Sequence, residues 1–254
     1  MPENTPASQG ALAPAEQARL DRRLIAAAWS NDVTRAQMLI DAGADVNAKD
    51  ASEQSAFLIA TSEGYLRLLE LTLRHGANVN SKDSFHGTGL IRAAERGHYA
   101  IVGRLVQVGT EVDHVNNLGW TALHEAIILG DGSQRYIDTV RVLVAAGAGV
   151  QLPSRRDGIA PIAHAEAKGY TAIAELLRVS LAADRRGALD PETADQQLLA
   201  AATVGDADLA AVALRHGATP EVRDQRRRTP LLIAVNKDRQ PVARLLVALG
   251  GDPD

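Results

Sequence analysis

Apolar residues along this chain come in short bursts with a helical period, and each burst runs into a glycine. Leu66 to Leu73 is apolar at helical spacing and leads to Arg74, His75 and Gly76. Ile101, Val102, Leu105 and Val106 precede Gly109, and Val140 to Ala146 precede Gly147. Positions three and four apart share one helix face, so each burst predicts an amphipathic helix. The glycine that follows suits the left-handed position just past a helix end. A shorter helical signal stands in front of each burst: Ser55-Ala56-Phe57-Leu58, Thr88-Gly89-Leu90-Ile91, Thr121-Ala122-Leu123-His124 and Thr229-Pro230-Leu231-Leu232. A Thr or Ser hydroxyl there caps free backbone N–H groups, and proline is tolerated in the first helical turn. Gly64, Gly97, Gly130 and Gly169 permit a tight turn between the two helices of each pair. Polar turns such as Ala44-Asp45-Val46-Asn47 and Ala77-Asn78-Val79-Asn80 then project before the next pair.

The period of this pattern decides the fold class. Gly43, Gly76 and Gly109 stand 33 residues apart, and a period of 20–50 residues marks a repeat architecture. One helix pair cannot bury its own apolar face, so the pairs must stack. With Thr121-Ala122-Leu123-His124, Thr229-Pro230-Leu231-Leu232 and the two Ala-Asx-Val-Asn turns, the chain resembles the ankyrin-repeat family over roughly residues 20–254. The resemblance implies an all-α solenoid of about seven helix-turn-helix units with projecting β-turn fingers. It also implies noncatalytic binding of protein partners through the fingers and the first helices on the concave side. Residues 84–147 look like a subgroup of small bacterial ankyrin proteins of poorly defined role.

The breaks in the period give the expected organisation. Residues 1–18 read as a flexible leader, rich in Pro, Ala, Ser and Gln. Residues 19–178 hold repeats 1–5, and the polar start of the first suits a capping unit. The fifth unit has Ser180 where its terminal glycine should be, so 179–194 reads as an irregular connector, either a bend or a hinge. Residues 195–254 read as repeats 6 and 7, stacked on the same solenoid. Gly109 to Gly147 spans 38 residues, and the five extra ones are Asp131 to Arg135, between the helices of the fourth unit. Insertions into repeats map to loops and often to a binding face.

Composition narrows the chemistry. The 254 residues include no cysteine, which removes disulfides, thiolate catalysis and Cys-ligated zinc. Net charge is −4, against the basic face that nucleic acid or an anionic membrane attracts. No apolar run approaches the ~18 residues of a membrane span, and the N-terminus lacks a signal-peptide pattern. The expectation is a cytoplasmic monomer with one or more protein partners, no cofactor and no metal. Seven histidines are dispersed among repeat positions without metal-ligand spacing. No nucleophile-elbow, phosphate-loop or dinucleotide motif stands in a suitable context, so no catalytic residue is assigned.

Candidate partner-binding residues fall into three groups. Phe85, His86, Leu118, Trp120 and Ile159 lie in or beside projecting turns, where aromatic and apolar anchors make interface hot spots. Asp131, Ser133, Gln134 and Arg135 belong to the insertion, and Tyr136 follows it. Arg155 and Arg156 at one finger, with Arg226, Arg227 and Arg228 at the last, form basic clusters that stacking would align on one edge, facing carboxylates. An inhibitor or immunity-type protein masking one target enzyme is the narrower alternative; an enzyme or nucleic-acid binder is the alternative of another class.

Overall fold

The structure, a computed structural model, describes residues 12–252. Among these it contains fourteen α-helices and no strand. They form seven pairs: α1 (Pro14–Trp29) with α2 (Val33–Asp41), α3 (Ala56–Glu63) with α4 (Leu66–Arg74), α5 (Gly89–Glu95) with α6 (Tyr99–Gln107), and α7 (Ala122–Ile128) with α8 (Gln134–Ala145). Then come α9 (Pro161–Ala167) with α10 (Thr171–Arg186), α11 (Pro191–Val204) with α12 (Ala207–Arg215), and α13 (Pro230–Asn236) with α14 (Gln240–Ala248). The first helices start where the sequence placed their caps. The hydroxyls of Ser55, Thr88, Thr121 and Thr229 accept from the backbone N–H three residues on. His124 returns the contact at Thr121, its Nδ1 accepting from the Thr121 N–H at 3.3 Å.

The first five pairs stack as expected. First helices α1, α3, α5, α7 and α9 pack side by side in an inner row, and α2, α4, α6, α8 and α10 in an outer row. The core between the rows is mostly Leu, Ile, Val and Ala, with Phe57 the one large aromatic fully buried in it. Fingers join each outer helix to the next inner one and bond to one another along the stack. The Asn117 N–H donates to the Phe85 carbonyl and the Arg155 N–H to the Gly119 carbonyl, each at 2.9 Å.

Three expectations about organisation need correction. Residues 1–11 of the expected leader lie outside the described residues, but 14–18 are already helix. Pro14 and Glu16 suit a first helical turn, and the Gln17 amide ties that turn to the Gly43 carbonyl at 2.9 Å. The connector 179–194 is not irregular either. Ser180 is fully buried and its hydroxyl donates to the Leu176 carbonyl at 2.8 Å. With no glycine there to end it, α10 runs on to Arg186 and no finger follows the fifth unit. The corner comes at Gly187, in positive φ, and Asp190 caps α11 immediately after.

The third correction follows from that corner. Repeats 6 and 7 do not continue the stack. Their outer helices turn back onto the outer row: α12 packs on α8 and α10, and α14 on α6 and α8. Close approach is possible because α12 presents small side chains (Ala207, Ala210, Ala211 and Ala213 are all buried) and because α6 carries Gly103. A methyl group at Gly103 would collide with the Ala248 carbonyl. Ion pairs fix the register. Asp138, buried on α8, receives Arg141 at 3.1 Å and Arg244 of α14 at 2.8 Å. Arg141 also reaches Asp208 of α12 at 2.6 Å. Arg215 bonds Asp184 at 2.9 Å and the Ala148 carbonyl at 2.7 Å. The chain is thus two short stacks joined back to back through their outer helices.

Candidate functional site

The fingers of the first stack are built on one Asx or Ser residue per turn. Asp83 accepts from the N–H groups of Phe85 and Gly87, and Asn116 from those of Leu118 and Trp120. Ser154 does the same for Arg156. Such side-chain turns hold the neighbouring residues in a defined outward geometry, so Phe85 stands 55% exposed on a rigid loop. His86 holds φ +61° beside it, and its carbonyl faces the His114 ring nitrogen at 2.8 Å.

Numbering each finger by the unit it opens, a groove of about 180 Å³ lies between the third and fourth fingers and the inner helices α5 and α7. Phe85, Leu118, Ile91 and Leu129 give it apolar walls, while Asp83, Arg92, Glu95, Asn116 and Glu125 supply its polar groups. Arg92 reaches Glu95 at 2.6 Å and Asp83 at 3.4 Å. Glu125 is 3% exposed. One of its oxygens, Oε1, accepts from the Asn116 amide at 2.7 Å. The other, Oε2, has no hydrogen-bond partner among the described residues. Burial pushes the Glu125 carboxyl up to about 7, against the lowering effect of the Asn116 hydrogen bond. A buried carboxyl with one oxygen unpaired is costly, and such perturbed groups in clefts mark candidate functional sites.

The sequence-derived candidates divide by edge. Phe85 and Leu118 meet in this groove. Trp120 lies beside it, half-buried, with the Arg156 guanidinium of the next finger 5.6 Å over its ring. Arg155 and Ile159 are exposed on the next finger. The insertion is elsewhere. It joins α7 to α8, at the helix ends opposite the fingers, and the residues that flank it are packed. The Tyr136 hydroxyl donates to the Glu95 carbonyl at 3.0 Å, and the Tyr170 hydroxyl to the Gly130 carbonyl at 2.7 Å. Tyr136 is buried, while Asp131, Ser133, Gln134 and Arg135 stay exposed around it. The last basic cluster also separates. Arg226, Arg227 and Arg228 sit on the finger of the back-packed pair, so stacking does not align them with Arg155 and Arg156. Arg228 is held within its own finger by Asp224 at 2.7 Å.

Glu125 and Arg92 were not singled out from sequence, yet a signal was present. Each stands four residues after its capping Thr, in successive units, 33 residues apart. The equivalent position is Ile59 in the second unit and His164 in the fifth. That register faces the inner side of the stack, and the one acid in Ala122 to Ile127, where every other residue but His124 is apolar, marked it.

Other features are less suited to recognition chemistry. A larger groove of about 480 Å³ lies where α14 meets α4 and α6, lined by Leu66, Tyr99, Ala243 and Val247. Its polar groups are satisfied, Glu70 by Arg104 at 2.6 Å, Arg244 by Asp138, and Gln107 by the Ala248 carbonyl. His98 packs its ring over Gly64 and points a nitrogen at the Ser62 carbonyl, and burial lowers its pKa. His124 is also lowered by burial, which keeps it a neutral partner of Thr121. No group of three His, Asp or Glu among the described residues is arranged to hold a metal ion. No helix among them is long and apolar enough to cross a membrane.

Comparisons with known proteins agree with the stack. A family model described as ankyrin repeats (3 copies) matches residues 57–154 and 90–186. The Escherichia coli (strain K12) ankyrin repeat protein YahD is 38% identical over 142 residues, 56% of this chain and 70% of that protein. An ankyrin repeat domain from Acinetobacter baumannii AYE superposes with a TM-score of 0.59 at 51% identity, covering 61% of this chain and 79% of that one. The ankyrin repeat protein EF0377 superposes at 0.58 with 35% identity, covering 61% and 78%. The chain, by its repeat pattern, its stacked helix pairs and these matches, belongs to the ankyrin-repeat family.

Proposed function

We propose that this protein is a noncatalytic, monomeric, cytoplasmic binding module that holds a partner protein on the finger and inner-helix surface of its first stack. Ankyrin repeats are generally protein–protein interaction modules, and the family is typically non-catalytic. The observation that carries the choice of surface is the groove between the third and fourth fingers. It combines an exposed aromatic anchor, Phe85, with a buried and incompletely bonded carboxylate, Glu125. The outer row is a poorer candidate, since α6 and α8 are already covered by α14 and α12. Fingers bonded to each other along the stack present their side chains with little ordering cost on binding.

The test is affinity capture from producing cells with three baits. Phe85→Asp combined with Leu118→Asp should abolish a stoichiometric partner, while Met38→Asp on the outer row should retain it. Equal capture by all three baits would move the binding surface away from the fingers. Circular dichroism and unchanged urea midpoints establish that each bait is folded.

A further inference from the structure

Resting on that reading, we infer that the groove between the third and fourth fingers is a socket for one cationic side chain, a lysine or arginine of the partner, seated between Phe85 and Leu118 with its charge at Glu125. Size argues for a single side chain. At about 180 Å³ the space falls below the 300–1,000 Å³ usual for small-molecule and cofactor pockets. Shape argues for a long amphipathic one. Phe85, Leu118 and Leu129 provide apolar wall for a methylene stem, and long basic side chains bury such stems while the head finds a polar partner.

Charge selects the sign. Three carboxyl groups, Asp83, Glu95 and Glu125, line the groove against one guanidinium, Arg92. Arg92 bonds Glu95 and pairs with Asp83 through an Nε that makes no hydrogen bond. Its charge also acts on Glu125, but Glu125 has no direct ion pair and the carboxyls outnumber the cation three to one. The Glu125 side chain lines the groove, with Oε2 buried and unpartnered behind the wall while Asn116 holds Oε1 in place. A partner carboxylate would face this excess of acid, and would meet repulsion from Glu125 whenever its carboxyl is ionised. A partner ammonium or guanidinium gains a charge-assisted hydrogen bond to a pre-oriented oxygen and stands beside the Phe85 ring, which also favours a cation. The buried carboxyl that is a liability in the free protein becomes a specificity element in the complex, since a neutral side chain leaves it unpaired.

The experiment uses two small probes on the full chain at a single pH. N-acetyl-lysine N-methylamide is compared with N-acetyl-norleucine N-methylamide, which has the same stem and no charge. Binding is read from the carboxyl carbon resonance of Glu125, assigned by its disappearance in Glu125→Gln. The lysine probe should shift that resonance saturably toward the ionised form. It should bind about ten-fold or more tightly than the norleucine probe, the advantage expected of one charge-assisted hydrogen bond. In Glu125→Gln the two probes should bind alike, as followed by the backbone amides of Phe85 and Leu118. A non-saturable response at Glu125, or equal affinities for both probes in the wild type, overturns the socket. That failure is distinct from failure of the functional reading, which is decided by whether capture depends on Phe85 and Leu118.

Discussion

Replacing Glu125 with glutamine should make the protein more stable, and by an amount that grows with pH. Glutamine keeps the volume and the Oε1 acceptor for Asn116 and removes the ionisable group. The NH2 it sets in place of Oε2 is unpaired as well, a cost of about 1 kcal/mol that does not change with pH and subtracts equally from the gain at every pH. The folded-state carboxyl titrates near 7, against an ordinary value of 4.5. Below 4.5 it is protonated in both folded and unfolded chains and contributes nothing to the pH dependence. Between 4.5 and 7 the unfolded chain has released the proton and the folded chain still holds it, so stability falls as pH rises. Above 7 both are ionised and the loss is complete. The shift of 2.5 units, 7 minus 4.5, corresponds to about 3 kcal/mol at ~1.4 kcal/mol per unit. Loss of this titration should therefore favour the glutamine variant over the wild type by about 1 kcal/mol at pH 5 and about 3 kcal/mol at pH 8, and the net gain is about 1 kcal/mol less at each. Urea unfolding at the two pH values, with unchanged slopes, gives both numbers. A gain that is the same at pH 5 and pH 8, or a loss at pH 8, would refute the claim that Glu125 is a buried, uncompensated acid.

Three further predictions test the back-to-back arrangement and the insertion. Gly103→Ala places a methyl against the Ala248 carbonyl; it should cost about 1–3 kcal/mol and abolish hydrogen-exchange protection of Gln240–Ala248 while leaving α3 to α5 protected. Asp138→Ala leaves Arg141 and Arg244 without their shared acceptor. It should destabilise by about 3 kcal/mol, and a double-mutant cycle with Arg244→Ala should recover part of that loss. Tyr136→Phe removes the hydroxyl that donates to the Glu95 carbonyl and should lower stability by about 1 kcal/mol without weakening partner capture, because the insertion lies on the edge opposite the fingers.

How far sequence reasoning reached can be traced residue by residue. The capping threonines, the helix-ending glycines and the 33-residue period are local signals, and local backbone chemistry sets helix ends. They pointed to stacked helix pairs with fingers between them. Ser180 was harder, because a missing C-terminal glycine looks the same whether the chain enters a loop or the helix continues. The buried hydroxyl bonded to Leu176 resolves it, and the long α10 then carries the last two units past the end of the stack. The return onto α6 and α8 depends on Gly103, Asp138 and Arg244, which are 35 to 141 residues from one another along the chain and share no pattern. Phe85 and Leu118 were legible as apolar residues on turns, and of the two Phe85 is the exposed one. Glu125 needed the register of the inner face, which only equivalence to Arg92, Ile59 and His164 reveals.

The central claim is that the finger face between the third and fourth units, not the outer helix row, meets the partner. Site-specific photo-crosslinking in producing cells tests it most directly, with benzoylphenylalanine at Leu118 in one protein and at Met38 in another. The account predicts one discrete adduct from position 118 and none from position 38. An adduct from position 38 alone, or from neither position, would contradict it.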